Sequence, residues 1–222
     1  MKKILLVLWA SLVIPWVNAD ATPKEIDVQG RKLISLKPAF TLTLPSEFTL
    51  IHSYLHENPG KSSLTRVYFL VNTQGRQVEE MFILQIADKT NPQAEPMTAP
   101  PLKAYTEKRL YSKGRVKKGE LEVDYLTQLM AMNPDAPSLQ PVIKKGFIIS
   151  AHWALQGQFL FLYLGENAVL CRYSRMINSF GTKVSDKGEA WEKGIISGNE
   201  KKVYEAFQKA FMEMVNSIQI KN

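Results

Sequence analysis

FIISAHWALQGQFLFLYLGENAVLCRYSR, residues 147–175, is the densest apolar and aromatic stretch of the chain outside its first nineteen residues, and its reading decides the fold. Residues 158–164 (QFLFLYL) and 168–174 (AVLCRYS) are strand-length, aromatic and β-branched. The link Gly165-Glu166-Asn167 between them predicts a hairpin. Ahead of them, residues 147–151 (FIISA) begin just after Gly146 and predict a third strand, which leads through His152, Trp153 and a break at Gln156-Gly157 into the hairpin. Three adjacent strands are enough to seed a sheet.

Outward from this stretch the pattern continues. Residues 63–71 (SLTRVYFLV) and 78–87 (VEEMFILQIA) form a second predicted hairpin through Gly75, and the latter strand is apolar on both faces beyond Glu80, as a central covered strand is. Residues 31–36 and 40–44 alternate apolar positions as two short strands, and residues 48–56 make a third, closed by the turn Asn58-Pro59-Gly60. Residues 88–101 (DKTNPQAEPMTAPP) hold four prolines and read as an irregular excursion. Pro101 then stands where a helix begins. Leu102, Tyr105, Arg109 and Leu110 recur at roughly helical spacing, so residues 102–112 are predicted to form a short helix over the sheet, stopped by Gly114. Residues 120–125 (ELEVDY) alternate as a strand, although Leu121, Tyr125, Leu129 and Met132 also fit a helix; strand is preferred. Residues 133–141 are a turn-rich connector, and residues 178–198, with four glycines and Trp191, a long loop. Ser197 and Glu200 stand in capping-box relation at the start of a helix over residues 200–217, whose stripe Val203, Phe207, Ala210, Phe211, Met214 and Ile218 is its core side.

Residues 1–19 have the form of a secretory signal: Lys2 and Lys3, an apolar core from Ile4 to Ile14, Pro15, then Val17-Asn18-Ala19 before the expected cleavage. The apolar run is shorter than the roughly 20 residues that cross a bilayer, so no transmembrane segment is expected after cleavage, and residues 20–222 are expected to be one extracytoplasmic domain, periplasmic or secreted. The whole chain carries 28 Lys and Arg against 21 Asp and Glu. Loss of the leader removes two lysines and leaves a formal charge of +5, compatible with an anionic partner and equally with ordinary solubility. Cys171 is the single cysteine, so no internal disulfide forms; its alternation with Val169 and Tyr173 predicts a buried thiol, with Arg172 pointing to the opposite face.

Chemistry is sparse. There is no phosphate loop, dinucleotide glycine fingerprint, HExxH or G-x-S-x-G elbow. On a strand His52 and His56 would stand about 13 Å apart at a rise of about 3.3 Å per residue, too far for one ion, so neither metal nor organic cofactor is expected. Glu79 with Glu80, and Glu120 with Glu122, fit a solvated edge. His152 adjoins the central sheet and is where a convergent hydrolase-like site would assemble. The binding candidates are a cation cluster in residues 108–118 (KRLYSKGRVKK), with Lys113, Arg115, Lys117 and Lys118, and an aromatic platform of Trp153, Tyr173 and Trp191. The basic run lacks interleaved stacking residues beyond Tyr111, which argues against nucleic acid.

The order of antiparallel strands, a crossing helix, a further meander and a long C-terminal helix ending in Asn216-Ser217-Ile218, together with FTLTLP at residues 40–45, resembles the Mog1/PsbP-like α-β-α sandwich, whose exported bacterial members include DcrB-like proteins. The resemblance implies a mostly non-catalytic accessory or interaction role and assigns no site residues. The expectation is therefore an α+β fold, an antiparallel β-sheet covered by a short middle helix and a long C-terminal helix. Its expected role is extracytoplasmic binding of an unknown protein or anionic surface. The alternatives are a hydrolase-like enzyme near His152 and an envelope structural component.

Overall fold

A computed structural model of the chain describes residues 25–58, 62–150, 152–182, 184 and 188–221. The expected leader and its cleavage point lie outside these residues, as do Pro59, Gly60 and Ala151. In chain order the strands are β1 (Ile26–Gln29), β2 (Lys32–Leu36), β3 (Ala39–Thr43), β4 (Thr49–Asn58), β5 (Ser63–Gln74), β6 (Gln77–Lys89), β7 (Leu110–Lys118), β8 (Leu121–Ala131), β9 (Trp153–Tyr163), β10 (Asn167–Met176) and β11 (Gln219–Ile220). Among the described residues two α-helices accompany them, α1 (Gln140–Lys144) and α2 (Gly198–Asn216). The structure is mostly antiparallel β: a large sheet in the order β4-β5-β6-β10-β9-β8-β7 and a small one in the order β1-β2-β3-β11. None of the described helices is long and apolar enough to cross a membrane.

β9 and β10 form the middle of the large sheet. They pair from Tyr163↔Asn167 to Ala154↔Met176 around a turn in which Leu164 and Gly165 both have positive φ. Gly157 does not break the chain before this hairpin, contrary to the sequence expectation; β9 runs straight through it. A Cβ there would lie 2.2 Å from Cδ2 of Phe211 on α2, so the glycine is the notch that lets the helix ring rest on strand backbone.

Two further expectations are corrected. Residues 147–150 form no ladder strand: Ile148 makes one isolated parallel bridge to Gln77, while Phe147 and Ile149 pack their side chains against the sheet. Residues 102–112 are not a helix. The chain there is irregular up to a single 3₁₀ turn, Glu107–Arg109, and then enters β7. β8 supplies what local spacing does not show, a partner along Leu110↔Gln128 to Lys118↔Leu121. Gly114, expected to stop a helix, lies under the Tyr125 side chain, whose hydroxyl is 2.9 Å from where a Cβ would be. The short helix of the middle region is α1 instead, entered through a 3₁₀ turn at Pro137–Leu139. Residues 121–131 are strand.

Alternation divides the large sheet into two faces. One is covered by α2 and the small sheet: Phe159, Phe161, Val169, Cys171 and Tyr173 meet Phe207, Phe211 and Met214, and Phe40 sets its ring edge-on to Phe161 at 5.6 Å. Tyr173, Phe207 and Phe211 stack in sequence, at 5.3 and 6.3 Å between centroids. The helical stripe is buried at Val203, Phe207, Phe211, Met214 and Val215, as 3.6-residue periodicity predicts. Ser197 is the N-cap, but its side chain makes no capping hydrogen bond, so the anticipated capping box does not form. Arg66 joins the two sheets. It is 2% exposed, donates twice to the Asp88 carboxylate (2.9 and 2.7 Å) and once to the Lys37 carbonyl (2.6 Å), and is ion-paired with Glu25.

The other face is covered only in part. At the β4–β6 side, Val67, Phe69, Val71, Met81 and Ile83 lie under Leu139, Val142 and Ile149. At the β8–β9 side, Leu126 and Leu160 lie under Leu102 and Ala99 from the end of the proline-rich excursion. Between these two apolar covers the face is polar.

Candidate functional site

The polar strip follows from strand alternation. With Val169, Cys171 and Tyr173 turned to the helix side, β10 presents Leu170, Arg172 and Ser174 to the opposite side. Register then places Arg172 between Gln158 of β9 and Ile83 of β6, and Ser174 beside Gln156, which itself faces Gln128 of β8. Gln128 Nε2 donates to Gln156 Oε1 (3.0 Å), Gln158 Nε2 donates to the same oxygen (2.6 Å), and Gln156 Nε2 donates to Ser174 Oγ (3.3 Å). The Tyr105 amide donates to Gln128 Oε1 at 2.6 Å, which fixes the irregular segment to the end of the row. Gln128, Gln156 and Ser174 are buried; Gln85, Gln158, Arg172 and Tyr54 are half-buried.

Arg172 is the unusual member. Its Nη1 donates to Gln85 Oε1 at 2.9 Å, and no described carboxylate pairs with it. Burial lowers its pKa from the ordinary value, and the ionisable groups that pull it back up are the Tyr54 phenol and the Cys171 thiol. Burial in turn raises the pKa of Tyr54, opposed by the Arg172 charge, so that hydroxyl keeps its proton and remains a donor at neutral pH. A guanidinium stays charged in proteins, so the strip holds a partly desolvated cation hydrogen-bonded to the neutral amide of Gln85.

A concave feature lies elsewhere, where β9 begins. A cavity of about 460 Å³ is lined by His152, Trp153, Ile177, Asn178, Gly181, Thr182 and Val184. The Arg109 guanidinium stands 4.3 Å over the Trp153 ring, and Thr182 Oγ1 accepts from Asn199 Nδ2 at the start of α2 (3.0 Å). His152 is the single titratable side chain among the described lining residues. Nucleophilic catalysis needs a hydroxyl or thiol within hydrogen-bond reach of the base and a carboxylate or amide to orient it; among the described lining residues Thr182 and Asn178 are the nearest chemical types.

The residues singled out from the sequence are dispersed. Lys113, Arg115 and Lys117 alternate along β7 with exposed side chains, but they are not an open cation patch. Arg115 is held by both oxygens of Asp124 (2.6 and 3.1 Å) and by Glu122 (2.6 Å), and Lys113 Nζ donates to the Leu102 carbonyl at 3.3 Å. Lys118 bonds the Asn216 carbonyl at the C-terminal end of α2, where a cation complements the helix dipole. Nor do the aromatics form a platform. Trp191 is 1% exposed, Trp153 8% and Tyr173 buried, so Trp191 and Tyr173 are core, and Trp153 shows only part of one ring to the cavity. Tyr111 Oη donates to the Trp191 carbonyl at 2.5 Å, tying that loop to β7.

Three remaining candidates are structural in character. His52 packs its ring against Tyr54 and Phe69, and among the described residues no group of three or more His, Cys, Asp or Glu is placed to hold a metal ion. Cys171 is fully buried, and desolvation pushes its thiol well above the usual range. Glu80, expected at a solvated edge, is 4% exposed: Tyr173 Oη donates to it at 2.8 Å and Arg175 Nε lies 3.4 Å away. Arg172 itself could have been found from the sequence. A cation set among apolar residues in the middle of a strand, in the centre of a sheet, is the signal.

Compared with family models, curated proteins and solved structures, the chain matches none of them.

Proposed function

We propose that the chain is an extracytoplasmic, non-catalytic binding or accessory module of the α+β class, and that it recognises its partner through the polar strip between the two apolar covers of the large sheet. Arg172 carries this reading, because a half-buried guanidinium without a carboxylate lowers the stability of the free protein and gains its counter-charge on binding. The leader-like residues 1–19 support export, and the resemblance to Mog1/PsbP-like exported proteins supports an accessory role. Urea unfolding of Arg172→Gln tests it. Stability within about 0.5 kcal/mol of the parent chain, or above it, is expected of a recognition residue. A loss of more than about 2 kcal/mol would make Arg172 a structural residue and remove the strip as the recognition surface.

A second reading rests on the cavity beside His152, where a hydrolase-like site would sit. Ester or peptide hydrolysis by the purified protein, abolished by His152→Ala with the fold intact, would select it over recognition.

A further inference from the structure

We infer that Arg172 anchors a recessed oxyanion site, in which its guanidinium holds a carboxylate or phosphate group of the ligand; this rests on the recognition role proposed above and names the chemistry of what is recognised. The other paired arginines of the large sheet are neutralised from within: Arg66 by Asp88 and Glu25, Arg115 by Asp124 and Glu122, Arg175 by Glu80. Arg172 is the exception, and it is more buried than the exposed Arg115. Its plane is set by Gln85, which takes Nη1, while Nε and Nη2 make no hydrogen bond to the described residues. A planar guanidinium with one nitrogen fixed and two others open is pre-organised for two parallel N–H···O bonds to an oxyanion, a geometry a halide cannot match.

The surroundings favour the same ligand chemistry. Gln158, across the strand from Arg172, is held by Gln156 and adds an amide. No described acid stands against Arg172 to compete with an incoming anion. The apolar covers on both sides, Leu139, Val142 and Ile149 on one and Leu102 on the other, reduce solvent screening, so a charge-assisted hydrogen bond there is stronger than at the exposed lysines of β7.

The test is an isotope-labelled NMR titration of the protein with inorganic phosphate and, separately, with acetate, each against sodium chloride at matched ionic strength. Saturable shifts centred on the amides of Arg172, Gln85 and Gln158 are expected with at least one oxyanion. Saturation by phosphate alone or by acetate alone identifies the group. Arg172→Gln should weaken that binding at least about tenfold, equivalent to about 1.4 kcal/mol, while Lys117→Ser leaves it unchanged. Arg172→Lys keeps the charge without the fork and should also lose most of the affinity. Shifts no larger than those from chloride, shifts that persist in Arg172→Gln, or undiminished affinity in Arg172→Lys would each overturn the oxyanion site. If Arg172→Gln keeps the parent stability while no oxyanion saturates, the recognition role stands and only its ligand class is lost; a large stability loss removes both.

Discussion

Two arginines of one sheet, on strands that flank β6 from either side, have opposite fates. Arg66 on β5 is almost fully buried, and the fold surrounds it with two carboxylates and a backbone carbonyl drawn from β6, the turn after β2 and the residue before β1. Arg172 on β10 is left with one amide oxygen. The first is a clamp between sheets, since every partner it gathers belongs to a different part of the chain. The second contributes nothing comparable to the fold. Side-chain type and strand position therefore do not separate an architectural charge from a functional one; the partners do.

The comparison can be broken most directly at Arg66. Arg66→Ala leaves Asp88 and Glu25 without their cation at the junction of the two sheets, and denaturant unfolding should show a loss of about 3–5 kcal/mol. A loss near zero would mean that the clamp is no clamp. Gly157→Ala comes next. Its Cβ would collide with the Phe211 ring, so α2 must lift or the ring rotate, at a cost of about 1–3 kcal/mol seen as a lowered Tm. Arg172→Met should change sign, raising stability by about 0.5–2 kcal/mol, because it removes a partly desolvated charge and continues the flanking apolar surface. If it destabilises as Arg66→Ala does, the distinction between the two arginines fails. The smallest effect is at Cys171, which should be unreactive toward a thiol reagent until the protein is unfolded, as burial keeps the thiol protonated. Stoichiometric labelling of the native protein would show that the helix-covered face opens readily.

Features encoded locally were legible in the sequence. The β9–β10 and β5–β6 hairpins and α2 are specified by period and by turn residues within each segment, and the structure has all three. Where partners come from afar, local spacing misled. Leu102, Tyr105, Arg109 and Leu110 match a helix by position, yet residues from Leu110 onward are claimed by β8, which local spacing does not encode. Glycine was ambiguous for a physical reason: Gly114 and Gly157 look like stops, but both are places where a missing Cβ admits a ring. The candidate site divided in the same way. The charges of β7 were visible in the sequence, but their cross-strand pairing with Asp124 and Glu122 was not. The opposite-face position of Arg172 followed from alternation, whereas its lack of a carboxylate depends on every neighbouring strand.

The two-residue strand β11 pairs Gln219 with Thr41 and Ile220 with Phe40, and Lys221 donates its amide to the Ala39 carbonyl at 2.9 Å. The small sheet therefore takes its last strand from the far end of the described chain, after the entire large sheet has been laid down between its third and fourth members. During synthesis β3 emerges early and waits for a partner that comes last. Closing so long a loop costs more entropy than any hairpin closure in the molecule, and contacts of this sequence separation are the slow ones in folding. An incomplete chain thus exposes the β3 edge, and seating β11 ends that exposure.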